Sequence, residues 1–185
     1  MQVKGSAVRT IPEFVRKQFP EKYELWYSSL PSESVIIFES FIRSADWYPF
    51  REGVHIPTEI LGHIAYNGDT LKAAWACGRY SAESTLTGIY KFFVMAAPPS
   101  LIIRRGSRIL DTFYRPTEII IASEGNGWAL MEITKFDELT EVVENRIGGW
   151  IERGLEVQGI MNPQVSILKS MARGDKVTEI SIKWS

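Results

Sequence analysis

Between Val177 and Trp184 apolar and polar side chains alternate: Ile180, Ile182 and Trp184 fall on one face of an extended chain, Glu179, Ser181 and Lys183 on the other. Successive residues of a strand point to opposite sides. This run therefore demands a sheet covered on one side only, the habit of antiparallel sheets, and the rest of the chain must supply partner strands and a cover. Val165 to Met171 reads as the preceding strand, joined across Ala172-Arg173-Gly174-Asp175-Lys176, where Gly174 can take a positive φ. Glu118 to Ser123 is β-branched, Glu124-Gly125-Asn126-Gly127 is a strong hairpin signal, and Trp128 to Thr134 alternates again. Between these two strand pairs, Glu138 to Val157 has helical spacing, with Val143, Ile147, Trp150, Ile151 and Leu155 on one face. Gly148, Gly149 and Gly154 each weaken such a helix by ~1 kcal/mol relative to Ala, a loss that close approach of another backbone would offset.

The first half is predicted to be helical. Pro12 suits the first turn of a helix through Phe19, and Pro20 ends it and opens a short helix through Tyr27. Ser34 to Ile42 accommodates a strand or a buried helix, its β-branched run favouring the strand. Thr58 is the expected N-cap of a helix carrying Ile60, Leu61, Ile64 and Ala65, ended by Asn67-Gly68. Asp69 caps the next stretch, Leu71 to Phe93, which Pro98-Pro99 stops, and Leu101 to Tyr114 forms another helix. The expectation is an α+β fold: a helical N-terminal half packed with an antiparallel sheet, with a late strand-strand-helix-strand-strand order. No repeat or linker divides residues 1–185, so one domain is expected.

Composition narrows the function classes. A net charge of −1 creates no field to gather phosphates, so nucleic acid is not an expected partner. No apolar run approaches the ~18 residues that span a bilayer. The opening MQVKGSAVRT is too polar for the core of a secretory signal, and a single cysteine fits a reducing compartment, so a cytoplasmic location is expected. Aromatic residues make up 12% of the chain, which suits either a dense core or a rigid-walled pocket.

The chemistry-bearing residues are sparse. The two histidines, His55 and His63, lack the i, i+4 spacing of a helical zinc pair, and neither a nucleophile elbow nor a phosphate loop occurs. Glu132 sits in a predicted strand, where alternation puts it on the exposed face. Arg104, Arg105 and Arg108 share a helix and either receive an anion or form a solvated face. Cys77, in Ala-Ala-Trp-Ala-Cys-Gly-Arg-Tyr, reads as a buried inert thiol, with lipid modification the alternative.

Ile147-Gly148-Gly149-Trp150-Ile151, Gly159, Ala172-Arg173-Gly174-Asp175 and the ending Ile180-Ser181-Ile182-Lys183-Trp184 form a series that resembles the last helix and hairpin of 4-vinyl reductase-type domains. It looks closer still to a stand-alone bacterial family of unknown function, which also shows segments like Trp47-Tyr48-Pro49 and Gly78-Arg79-Tyr80. These domains form one ligand-binding superfamily with haem nitric-oxide/oxygen-binding domains and TRAPP transport-complex subunits, and the resemblance covers residues 10 to 184. It implies a domain that encloses hydrophobic ligands or pairs through its helices. The sequence departs from the haem-holding members. Pro98-Pro99-Ser100 is similar to the segment that follows their proximal histidine, yet no histidine occurs after His63, and the Tyr-x-Ser-x-Arg signature is missing. Ser170 and Thr178 stand where 4-vinyl reductase-type domains commonly place cysteines, and hydroxyls are poor ligands for a soft metal.

The functional expectation is a non-catalytic ligand-binding or sensor-type domain with no cofactor and no metal. Its apolar small molecule would be walled by Trp75, Tyr80, Tyr90, Phe93, Tyr114 and Trp150. The alternative is a protein-interaction module acting as a homodimer; an enzyme of unrecognised type ranks third.

Overall fold

The computed structural model describes residues 1–86 and 99–184, without the side chains of residues 99–102 and 105–107. Strand β1 (Gln2–Lys4) leads directly into helix α1 (Gly5–Gln18), so Pro12 lies in the helix interior and not in its first turn. A proline there costs ~3 kcal/mol, but the stripe Val8, Ile11 and Val15 is fully buried, and each such side chain contributes ~1.5–3 kcal/mol. Packing outweighs the break. A 3₁₀ turn over Pro20–Lys22 follows, then α2 (Tyr23–Ser28), whose buried Trp26 donates its indole N–H to the Pro57 carbonyl at 2.9 Å.

The Ser34 to Ile42 segment is not a strand. Helix α3 (Ser32–Glu39) buries Ser34 and Ile37, three apart on one face, and the Ser34 hydroxyl bonds the Glu52 carbonyl at 2.8 Å. Its β-branched composition is a weaker determinant than this burial. Strand β2 (Trp47–Pro49) pairs antiparallel with β1, which also pairs with β3 (Tyr114–Arg115), giving a small sheet of order β2-β1-β3. On it, Lys4 and Arg115 lie 4.1 and 4.0 Å from the Trp47 ring, a cation–π arrangement.

A π-helical turn at Arg51–His55 opens α4 (Ile56–Ala65). Thr58 is therefore inside a helix and is not its cap: its hydroxyl donates back to the Val54 carbonyl at 2.7 Å. Asn67 (φ 55°) and Gly68 (φ 88°) end α4, and Asp69 accepts the Lys72 N–H at 2.9 Å at the start of α5 (Thr70–Leu86), both as the sequence predicts.

Helix α6 (Pro99–Phe113) and β3 lead into a four-stranded sheet. Strands β4 (Thr117–Gly125), β5 (Trp128–Phe136), β6 (Gln164–Lys169) and β7 (Thr178–Lys183) pair antiparallel in the order β4-β5-β7-β6. The register sets Met131 and Ile167 on either side of Ile180, and Ala129 and Val165 on either side of Ile182, so one face forms the apolar row demanded by the terminal alternation. Helix α7 (Glu141–Val157) lies between β5 and β6 in the chain and completes the late strand-strand-helix-strand-strand order. One buried cluster joins Val8, Cys77, Ile147, Met131 and Ile180, drawn from α1, α5, α7 and the inner strands. No helix among the described residues is long and apolar enough to cross a membrane.

The α5–α7 crossing positions everything that follows. A Cβ on Gly149 would lie 2.1 Å from the Trp75 carbonyl oxygen, and one on Gly78 would lie 2.0 Å from the Arg146 carbonyl oxygen. The two backbones touch because each helix presents a glycine to the other. Gly154 is different, since a Cβ there would meet only side chains at ordinary contact distance, Leu86 at 3.5 Å and Trp150 at 3.9 Å.

Candidate functional site

Close contact of α5 and α7 brings Ser81 opposite Arg146, Ile147 and Trp150. The end of α6 contributes Leu110 and Phe113, β3 contributes Tyr114, and Ala7 of α1 closes the far side of a small cavity of about 10 Å³. That is room for about one water-sized occupant. Arg146 is only 2% exposed. Its Nη2 donates to the Ala7 carbonyl at 3.0 Å and to the Thr10 hydroxyl at 3.1 Å, while Nη1 is buried with no acceptor. Trp150, one helical turn further on, is also buried, and its indole N–H likewise has no acceptor. A buried donor without a partner costs ~1–3 kcal/mol, so two at one cavity suit it to a hydrogen-bond acceptor. Burial raises the Tyr114 hydroxyl above its usual pKa and pushes the Cys77 thiol up to about 11, in both cases opposed by the nearby Arg146.

The residues anticipated as pocket walls separate. Tyr114 and Trp150 line the cavity. Trp75 turns the other way, donating its indole N–H to Glu152 at 2.9 Å, and lines an open groove of about 470 Å³ with Tyr66 and Leu71. Tyr80 packs on Phe14, ring centroids 5.4 Å apart, in a second open groove. Tyr90 and Phe93 lie outside the described residues.

Two buried charged residues of α7 escape a reading by motif. Arg146 lies within the stripe Val143, Ile147 and Trp150, and a charged residue there on an otherwise apolar helix face was the available signal. Glu144 is the second, 1% exposed, accepting from the Ser170 hydroxyl at 2.6 Å, from the Thr178 hydroxyl and from the Ala172 N–H at 3.5 Å. It fastens α7 to the turn between β6 and β7, so Ser170 and Thr178 serve as carboxyl partners within a hydrogen-bonded network.

The other singled-out residues have local roles. Arg79 bridges Glu152 and Glu156, with Nη2 2.7 Å from Glu156, and ties α5 to α7 at a half-exposed position. Arg104 pairs with Glu124 on β4, Arg108 is exposed, and the Arg105 side chain lies outside the described residues. Among the described residues no group of three or more His, Cys, Asp or Glu could hold a metal ion.

The arrangement of helices and sheets recurs in solved structures. The chain has the H-NOX fold. It superposes on an Fe(II) unliganded H-NOX protein from K. algicida with a TM-score of 0.69 and 11% identity, covering 98% of this chain and 96% of that one. An H-NOX protein from S. oneidensis in the Fe(II)NO state gives 0.71 and 13%, covering 98% and 99%. An oxygen-binding H-NOX domain related to soluble guanylate cyclases gives 0.69 and 11%, covering 98% and 95%. No family model and no curated protein matches the sequence.

The iron named in those H-NOX structures raises the question of whether this chain can hold haem. Its residues do not fit the group. The His55 Nδ1 is 3.2 Å from the Thr140 hydroxyl and its Nε2 is 3.3 Å from Glu59, and burial lowers its pKa. His63 is exposed, and neither histidine lines the cavity. The space enclosed by the described residues, about 10 Å³, falls far below the ~300 Å³ or more of an ordinary cofactor pocket.

Proposed function

We propose that this chain is a non-catalytic, sensor-type domain that uses the H-NOX fold to bind a small molecule without haem, acting as one unit over residues 1–185. The observation that carries the reading is the fold match itself, which runs across 98% of this chain and 95–99% of H-NOX proteins whose structures were solved with Fe(II), nitric oxide or oxygen. The same scaffold here surrounds a buried arginine, a tryptophan and a tyrosine where no histidine is within reach. Sensing requires differential binding and a change of packing, not bond-making, and the polar groups present suit that role. Glu144 is engaged by hydroxyls of the β6–β7 turn, and the Arg79 network by its own carboxylates. An apolar ligand needs more room than the described residues enclose around Tyr114 and Trp150, so its binding is accompanied by separation of α6 from α7 at the Phe113–Trp150 contact, where the ring centroids are now 6.4 Å apart.

The haem-free part of this reading is tested by titrating the purified chain with ferric haem and following the Soret band. The expected result is no saturating one-to-one spectrum. A stoichiometric complex whose spectrum changes in His55→Ala or His63→Ala would contradict it.

A further inference from the structure

Arg146 brings a guanidinium into the interior without a carboxylate to meet it. Among the described residues Nη2 donates to the Ala7 carbonyl and the Thr10 hydroxyl, the Cys77 thiol and the Tyr114 hydroxyl also lie against the guanidinium, all of them neutral, and Nη1 has no acceptor. Residues 87–98 contain no Asp or Glu, so that stretch cannot supply a side-chain counter-charge either. Other buried charges demote themselves by losing or gaining a proton, but a guanidinium cannot, because its pKa exceeds ~12. An unpaired buried charge is costly enough that native proteins pair it, coordinate it or replace it.

The surroundings specify what would complete it. The cavity beside Arg146 is bounded by Trp150, whose N–H also lacks an acceptor, and by the buried Tyr114, which can donate. Every polar partner still needed is an acceptor. At about 10 Å³ the space admits one small sphere and excludes a carboxylate or phosphate with several atoms. A water would satisfy the donors and leave the charge unbalanced. A monatomic anion does both. We propose that the cavity between α1, α5 and α7 is a halide site, with Arg146 as its cation and Trp150 and Tyr114 as the donors that fix its position.

This inference does not depend on which organic molecule the domain binds, and its test uses none. The full chain is melted in sodium chloride and in sodium gluconate at equal ionic strength, gluconate being too large for the cavity. Chloride is expected to raise Tm saturably above the gluconate value. Crystals grown in sodium bromide are expected to show an anomalous peak within hydrogen-bond reach of Arg146 Nη1 and Trp150 Nε1. Trp150→Phe keeps an aromatic ring at this wall while removing the indole N–H with its pyrrole ring, so it should raise the half-saturating chloride concentration about tenfold or more, a hydrogen bond to a charged group accounting for the first tenfold. Arg146→Met should abolish the chloride dependence; should that variant fail to fold, the Trp150→Phe shift and the bromide map still decide. Identical melts in the two salts together with no anomalous peak would overturn the proposal and leave the cavity to a water.

Discussion

Glu144 and Arg146 stand two residues apart on α7 and are buried on opposite sides of it, as a rotation of ~100° per residue requires. The first meets hydroxyls of the β6–β7 turn, the second meets α1. Cys77 sits beside the second, fully enclosed, and burial is the larger influence on its thiol. Its pKa is raised in the folded state, from 9.0 to about 11, so folding favours the protonated thiol. The corresponding stability is fully present below pH 9 and declines as pH rises toward 11, because the unfolded chain ionises first. In urea titrations the wild type is expected to lose more stability than Cys77→Ala between pH 9 and pH 11. At pH 8 the native thiol should react with a labelling reagent far more slowly than in denaturant. Equal rates in the two states would show that the thiol is not enclosed.

At the scale of elements, the crossing of α5 and α7 decides the geometry, and Gly149 shows how. Helix propensity alone says that Gly149→Ala stabilises by ~1 kcal/mol. The contact says the opposite, since the new methyl would stand 2.1 Å from the Trp75 carbonyl oxygen, a backbone atom that cannot rotate away. The expected outcome is a loss of ~2–3 kcal/mol, typical of overpacking, read as a lower urea midpoint. Unchanged or increased stability would mean that the helices are not in backbone contact.

This element was partly legible beforehand. The glycines of α7 signal a close approach, and the alternation of β7 fixes which face of the sheet is covered, because both are local patterns with a single physical reading. The strand assigned to Ser34 to Ile42 and the helix start assigned to Pro12 fail for a common reason. Propensity and proline chemistry describe the isolated segment, whereas α1 and α3 are held by residues far away in the chain. The site was harder still. Tyr114 and Trp150 could be named as wall residues, but Trp75 and Tyr80 carry the same composition and face elsewhere. Aromatic content does not encode direction.

At the scale of the whole molecule, the H-NOX fold persists at 11–13% identity, and no histidine is among the described residues that line the cavity. A fold constrains where a ligand can sit and not which ligand sits there. Here Arg146, Trp150 and Tyr114 set hydrogen-bonding groups around a small space. The domain's proposed role as a haem-free ligand sensor is tested most directly by native mass spectrometry of the freshly purified full chain. The expected spectrum shows the folded polypeptide carrying a small molecule other than haem, which is released under denaturing conditions. The bare polypeptide in every preparation, or a bound haem, would contradict it.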